Sequence, residues 1–308
     1  MMHALTAPLV RHSAHTRGWH RFLEHRPAAI SAVILAVLVL LAVCQPLIVA
    51  AMGQDPDAVD LLTRFEPPTW AHPLGTDELG RDVLVRLLRG GQVSLAVGLA
   101  TALAAATLGT LLGVVAGWYG GWPDAFLMRL ADSVIALPLL PLLIVLAAID
   151  PTKLGLPEEA FRSPAAGLLR LVVIIGLVGW TTTARLVRAA TLSVREQVFI
   201  KAALATGVPP GRIMWRHILP NVVSPVIVAT TLSAGNVILL ESALSFLGLG
   251  VQPPLPSWGN MMTGALELIQ SAPALAVWPG AMIFLTVLAF NFVGDGLQNA
   301  LDPKSAKG

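Results

Sequence analysis

The sequence of 308 residues has little charge and only one cysteine. Asp, Glu, Lys and Arg make up 12% of it, about half the share found in an ordinary soluble domain. So few charges cannot cover the surface of a chain this long with solvated groups, which excludes a soluble globular protein. Cys44 stands alone, which excludes an internal disulfide and a metal site built from cysteines. The residues around it favour a packed thiol over a lipid attachment site.

Signs of nucleic-acid and nucleotide binding are also missing. The net charge is only +2, and the basic residues do not pool into one patch that could bind nucleic acid. Gly75 and Gly80 have the spacing of a phosphate-binding loop, but Arg81 and Asp82 stand where Lys and Ser or Thr are required, and no strand precedes them. We therefore expect no cofactor in this chain.

No pattern of catalytic or metal-binding residues is recognisable. Nothing in the sequence brings together a Ser/His/Asp set or a pair of carboxylates. Five of the seven histidines lie within the first 25 residues, at spacings that do not suit one helical face. A metal site in this tail is one interpretation, and a solvated tail near lipid headgroups is the favoured one. We expect no catalytic residue and no metal.

Long apolar stretches dominate what remains, and the mean hydropathy is +0.74. A helix needs about 20 apolar residues to cross about 30 Å of hydrocarbon, and in lipid its backbone must satisfy its own hydrogen bonds. The sequence therefore predicts an all-α, polytopic membrane bundle of about six helices. The predicted spans are 28–51, 92–117, 126–149, 166–184, 222–248 and 274–294.

The distribution of basic residues predicts the orientation. With both termini in the cytoplasm, thirteen of the twenty Lys and Arg residues lie on the cytoplasmic side, as basic residues in short loops favour. We expect no cleavable signal peptide, since the first span follows a long polar segment. The predicted organisation is a cytoplasmic tail 1–27, a first span 28–52, an extracytoplasmic loop 53–91, a five-helix core 92–300 containing a cytoplasmic loop 190–220, and a cytoplasmic tail 301–308.

Two spans carry residues that constrain their shape. Gly109, Gly113 and Gly117 recur at four-residue spacing in the second span, which predicts close packing against another helix without saying which one. Pro138 and Pro141 remove two backbone donors from the third span and should bend or break it. Such a break lines a pathway in some transporters, and a simple packing kink is an equal alternative.

Ionisable residues inside the spans are few. Glu241 is the acid predicted to lie within the hydrocarbon, where such groups commonly face a bundle interior or water and serve a function. The alternative is a structural hydrogen bond between helices near the far interface. Asp132 lies three residues after Arg129, and a local ion pair is the simplest interpretation.

The segment between the fourth and fifth spans has the clearest local pattern. Ser193 followed by Glu196 has the form of a capping box, which predicts the start of a short helix. Gly207 can take the left-handed conformation that ends a helix, and the prolines after it prevent continuation. We therefore predict a short cytoplasmic helix over 194–207, with the next span starting at Pro220. An ordinary amphipathic connector is the alternative to a docking helix.

This segment resembles the signature loop of permeases from binding-protein-dependent ABC importers. The family pattern is Glu-Ala-Ala, three residues, Gly, nine residues, Ile, one residue and Leu-Pro. Lys201 replaces the Glu and His217 replaces the Ile. The resemblance implies that the loop couples to ATPase subunits. The candidate coupling residues are Glu196, Lys201, Ala202, Ala203, Gly207, His217, Leu219 and Pro220.

Further segments resemble the C-type permease subunit of the dipeptide, oligopeptide and nickel branch. They lie at 72–82, 120–124, 128–132, 241–254, 256–260, 291–297 and 301–303. The resemblance implies a non-catalytic subunit in the bacterial inner membrane that forms half of a pathway, with peptides as the expected solute. It also implies a paralogous permease, two ATPase subunits and a soluble binding protein as partners.

A self-sufficient secondary transporter or a membrane-embedded enzyme is the rival interpretation. A secondary transporter should show internal repeats and several buried ionisable residues. An enzyme should show a cluster of His or Asp residues within the spans. The sequence offers neither pattern.

Overall fold

Helices make up most of the chain. The structure is a computed structural model that describes residues 14–155, 157, 163–263 and 268–301. In chain order its helices are α1 (Ala14–Glu24), α2 (Arg26–Met52), α3 (Val83–Tyr119), α4 (Gly121–Ala136), α5 (Leu139–Ala148), α6 (Pro164–Arg195), α7 (Val198–Ala205), α8 (Pro210–Phe246) and α9 (Ala274–Leu301). Short 3-10 turns lie at Leu61–Thr63, Pro151–Leu154 and Asn260–Met262.

The helices account for the predicted spans. Among the described residues, five helices are long and apolar enough to cross a membrane, and α4 with α5 makes a sixth if the pair counts as one span. That pair is bent by 92°. Pro138 takes an extended conformation between the two helices, because a proline cannot donate the hydrogen bond that would continue α4. The predicted break in the third span is confirmed.

Several predicted boundaries differ from the structure: α3 and α8 begin earlier than predicted, α6 ends at Arg195 rather than at 184, and α9 ends at Leu301 rather than at 294. α3 already begins at Val83, since the Asp82 carboxylate accepts a hydrogen bond from the Val85 amide at 2.8 Å and caps the helix. The loop before it therefore covers 53–82. α8 begins at Pro210 rather than at Pro220. A π-helical turn over Met214–Ile218 leads into Pro220, where an ordinary helical hydrogen bond is missing because proline has no N–H.

The most extensive helix pair in the described part of the chain is α3 with α6, and Gly109, Gly113 and Gly117, which we call the glycine seam, make the approach possible. A Cβ atom placed on Gly113 would lie 2.6 Å from the Ala184 carbonyl oxygen and 2.8 Å from the Val187 Cβ. A Cβ atom placed on Gly109, one turn earlier in α3, would lie 2.6 Å from the Trp180 carbonyl oxygen. The predicted close packing is confirmed, and α6 is the partner that the sequence left open.

The other helices surround this pair. α9 packs against both α2 and α8, and its Gly296 lies against Ala28 and Phe22 while its Gly294 lies against Leu232. The chain direction places α7 at one end of the bundle, which we call the α7 end. The segments 53–82, 247–263 and 268–273 lie at the other end, which we call the long-loop end.

The glycine seam predicts that two alanine substitutions differ in their effect on stability. Gly113→Ala should destabilise the detergent-solubilised protein by about 1–3 kcal/mol, because the added methyl group overlaps backbone atoms of α6. Gly167→Ala is the control, since a Cβ there meets nothing within 4 Å and alanine favours a helix over glycine. Thermal unfolding should show a lower midpoint for Gly113→Ala only. Equal midpoints would contradict the account of the seam.

Candidate functional site

The short helix of the predicted loop exists, but its start differs from the prediction. α7 spans Val198–Ala205 with Gln197 as its N-cap residue, rather than 194–207. Ser193 does not form a capping box, because α6 continues through it to Arg195. Val187 and Thr191, in the last turns of α6, are fully buried, and Thr191 lies against Gly117 of α3. This packing keeps the last turns of α6 helical.

Glu196 and Lys201 form an ion pair across the start of α7. The Lys201 ammonium lies 3.0 Å from the Glu196 carboxylate, and both side chains are largely exposed. The hydrogen bond from Lys201 lowers the pKa of Glu196 below its ordinary value. An exposed pair of this kind adds little stability. It does give Lys201 a local partner at the position where the family pattern has Glu.

One side chain anchors α7 to the bundle. Ile200 is fully buried in an apolar cluster formed by α3, α6 and α8. The other buried members are Val114, Trp118, Val187, Ile213, Ile218 and Val222. A displacement of α7 must therefore move side chains of three spanning helices, since packed interiors are not compressible. The sequence did not indicate this role of Ile200, because the predicted docking helix was recognised by its small residues.

The face of α7 opposite Ile200 is unpartnered. Val198 is 81% exposed, and Ala202 and Ala205 are exposed on the same side. Ala203 differs from its neighbour, because it is partly buried and packs against the Ile200 cluster. Of the two alanines in the signature, Ala202 is therefore the one whose side chain is more exposed to another protein.

Gly207 takes the predicted left-handed conformation, with φ of 77°. It follows Thr206, the C-cap residue of α7, and the Val208 amide donates a hydrogen bond to the Ala203 carbonyl at 3.1 Å. A Cβ on Gly207 would meet nothing within 4 Å. Glycine is therefore required there for its backbone conformation and not for space.

The remaining signature residues lie at the start of α8. His217 faces Phe199 of α7, with 6.3 Å between the ring centroids. Leu219 packs against the Ile200 cluster, and Pro220 is exposed. The signature therefore forms one unit, in which α7 and the first turns of α8 share a core.

Two arginines brace the α7 end. Arg195 donates a hydrogen bond to the Trp118 carbonyl at 2.9 Å, which joins the end of α6 to the end of α3. Arg188 makes a bidentate ion pair with Asp124 of α4, in which two guanidinium nitrogens donate to the two carboxylate oxygens. Such charge-assisted, bidentate pairs are the stronger kind.

The ion pair predicted between Arg129 and Asp132 is wrong. The Asp132 carboxylate lies 3.4 Å from Arg185 of α6 instead, a partner that sequence spacing could not reveal.

Glu241 lies at the long-loop end, fully buried and held by hydroxyl donors. Ser245, one turn later in α8, donates to it at 2.7 Å, and Ser94 of α3 donates at 3.1 Å. Ser242 makes a longer contact of 3.4 Å. The interhelical hydrogen bond considered at the sequence level is present, and a transport role for Glu241 stays a prediction.

The carboxylate also orders the segment that follows α8. Each of its two serine donors accepts a backbone hydrogen bond: Ser245 from the Val251 amide at 2.9 Å and Ser94 from the Trp258 amide at 3.2 Å. With their protons on Glu241, both hydroxyls present lone pairs to these amides. Glu241 thus holds the segment 247–263 onto α3 through two relays.

The glycine-rich segment before α3 is closed by its own contacts. The Asp77 carboxylate accepts hydrogen bonds from the Leu79 and Arg81 amides at 2.9 and 3.0 Å and pairs with the Arg81 side chain at 2.7 Å. The loop therefore points its amides at its own aspartate. In the described part of the chain, no group of three His, Cys, Asp or Glu side chains could hold a metal ion.

Two protein families match the chain. Residues 109–307 match the family described as binding-protein-dependent transport system inner membrane component. Residues 16–68 match the N-terminal TM domain of oligopeptide transport permease C. The first match contains Gly109, Gly113 and Gly117, together with α7 and Glu241, so these features lie within the region that matches the family.

Named relatives extend the similarity over most of the chain. The oligopeptide transport system permease protein OppC of Escherichia coli K12 is 39% identical over 284 residues, covering 92% of this chain and 89% of that protein. The dipeptide transport system permease protein DppC of Alkalihalophilus pseudofirmus is 39% identical over 281 residues, covering 91% and 87%. The chain therefore belongs to the family of binding-protein-dependent transport system inner membrane components, as a permease subunit.

Proposed function

We propose that this chain forms half of the pathway of an ATP-driven importer for dipeptides or oligopeptides. The names of its relatives support this class of solute. A paralogous permease would complete the pathway, two ATPase subunits would hydrolyse ATP, and a soluble binding protein would deliver the solute. Family membership favours this function over a secondary transporter or a membrane enzyme.

The observation that carries the proposal is the construction of α7. Its outer face is small and exposed, while Ile200 ties its inner face to three spanning helices. An ATPase groove that receives the outer face could therefore move α3, α6 and α8 together. ATP binding would then favour the state whose contacts with the ATPase pair are better, as any shift between two states requires.

The orientation follows from the same proposal. ATPase subunits are cytoplasmic, so the α7 end and both termini would lie in the cytoplasm. The long-loop end, with the segments 53–82, 247–263 and 268–273, would face the binding protein. The excess of basic residues on the α7 side supports this orientation.

Two substitutions on α7 test the coupling. Gly207→Val should strain the backbone by about 1–2 kcal/mol, and Ala202→Asp would bury an unpaired charge if its face is docked. Both variants should insert normally, yet lose bound ATPase subunits or the stimulation of ATP turnover by loaded binding protein.

The control for Gly207→Val is Gly53→Val at the long-loop end. Gly53 has a similar φ of 64°, and a Cβ on it would also meet nothing within 4 Å. It should therefore suffer the same local strain without loss of docking. Full retention of docking and stimulated turnover in both α7 variants would contradict the coupling role.

Labelling of single cysteines in intact cells tests the orientation. In a Cys44→Ser background, Leu62→Cys should react with a membrane-impermeant thiol reagent and Gly211→Cys should not. Leu62 is 96% exposed and Gly211 is exposed as well, so access across the membrane decides the result. The reverse pattern would overturn the orientation.

The Glu241 relays predict a loss of uptake. Glu241→Gln replaces one acceptor oxygen by an N–H donor, so one serine must accept from the new N–H and turn its own proton away. That proton is left without an acceptor and the relay is weakened, at about 1–3 kcal/mol. Uptake should fall while subunit assembly persists, and hydrogen exchange at Val251 or Trp258 should accelerate. Ser242→Ala is the control, because Ser242 holds no backbone amide. Normal uptake and normal hydrogen exchange in Glu241→Gln would contradict the relay, because the carboxylate would then be replaceable by a neutral group of the same size.

A further inference from the structure

Two adjoining cavities open beside α8, and three polar side chains line both of them. One cavity of about 270 Å³ lies between α8, α6 and the α4–α5 bend, and the other, of about 540 Å³, lies between α8, α6 and α9. The shared side chains are Thr182, Ser233 and Asn236. None of the residues that line either cavity is charged.

Asn236 carries the amide of the three. Its side chain is exposed, and within the described ranges it makes no hydrogen bond, and the side chains of Thr182 and Ser233 make none either. At 1.5 Å per residue Asn236 lies about 15 Å along α8 from Phe246, near the middle of the span. An amide left in hydrocarbon without partners costs roughly 2–7 kcal/mol, so this face of α8 requires a polar neighbour.

Several hydroxyls of the spans avoid this cost within their own helices. The hydroxyls of Thr107, Thr230 and Thr231 each donate to the carbonyl four residues earlier, at 2.7 to 2.9 Å. Thr230 and Thr231 lie in α8 on the groove toward α3, which is otherwise mostly apolar. α8 therefore has one mostly apolar face whose hydroxyls are satisfied internally, and another face with an amide that is not.

The chemistry of the three groups indicates what they would contact. An amide and two hydroxyls offer donors and acceptors but no fixed charge. The nearest charged side chain along α6 is Arg185, which is already paired with Asp132 at 3.4 Å. Groups of this kind match the N–H and C=O groups of a peptide backbone and do not discriminate between side chains of opposite charge.

We propose that Asn236, with Ser233 and Thr182, is a contact site for the backbone amides of the solute on its way through the pathway. The proposal rests on the peptide import function proposed above and adds the site and the mode of recognition. It predicts that this subunit tolerates peptides of differing side-chain charge, since the contact is made to the backbone.

Cysteine accessibility in the assembled importer tests the site. In a Cys44→Ser background, Asn236→Cys is compared with Ile227→Cys, which lies nine residues earlier and thus on the opposite side of α8. Ile227 is 44% exposed and lines the mostly apolar groove. The complex, with its partner permease, ATPases and binding protein, is labelled in vesicles by a small charged thiol reagent, at rest and after trapping with ATP and vanadate.

We expect Asn236→Cys to be labelled, with a rate that changes severalfold between the two states and falls when the binding protein is loaded with a tripeptide. Ile227→Cys should resist labelling in both states. No labelling at position 236 would mean that lipid or the partner permease covers it and would overturn the proposal. Labelling that neither the state nor the peptide affects would also overturn it, because the solute would then pass elsewhere.

Uptake by side-chain variants gives an independent readout. Asn236→Leu should lose most uptake of neutral, acidic and basic tripeptides alike, with assembly and stimulated ATP turnover intact, and Asn236→Gln should retain it. Normal uptake in Asn236→Leu would contradict the proposal. Uptake by the Cys44→Ser parent reports on the proposed import function separately, so a failure of that function is distinguishable from a failure of this site.

Discussion

The close approach of α3 and α6 is the constraint on which the rest of the structure depends. Lipid tails provide no hydrophobic drive between helices, so association relies on close packing of backbones and small side chains. Gly109, Gly113 and Gly117 allow that contact over the half of α3 that leads to the α7 end. The seam fixes where α6 ends, and the end of α6 fixes where α7 can lie.

The two ends of the bundle hold their connecting segments onto the spanning helices by different interactions. At the α7 end an apolar anchor, Ile200, joins a short helix to three spanning helices. At the long-loop end a buried carboxylate, Glu241, orients two serines that hold a backbone segment. Close apolar packing passes a displacement on to the helices it contacts, whereas hydrogen bonds specify one geometry. This difference suits an end that transmits movement and an end that holds a defined segment in place.

The helical class, the break at Pro138 and the positive φ of Gly207 could be predicted from the sequence, because each depends on a local property of the backbone. The start of α7 could not. The capping box at Ser193 and Glu196 is a weak local preference, and the packing of Val187 and Thr191 on α3 overrides it. The roles of Ile200 and Ala203 were also hidden, since the direction in which a short helix faces depends on the helices beneath it. The partner of Asp132 lies 53 residues away, on α6, beyond the reach of sequence spacing.

The central claim is that the exposed face of α7 docks on an ATPase subunit. Photo-cross-linking tests it most directly, with a light-activated amino acid placed at Val198 in the assembled importer and at Trp70 as the matched position. Both side chains are largely exposed, at 81% and 103%, but they lie at opposite ends of the bundle. The account predicts that position 198 yields an adduct with the ATPase chain and that position 70 does not. An ATPase adduct from position 70, or its absence from position 198 in a complex that hydrolyses ATP, would contradict the claim.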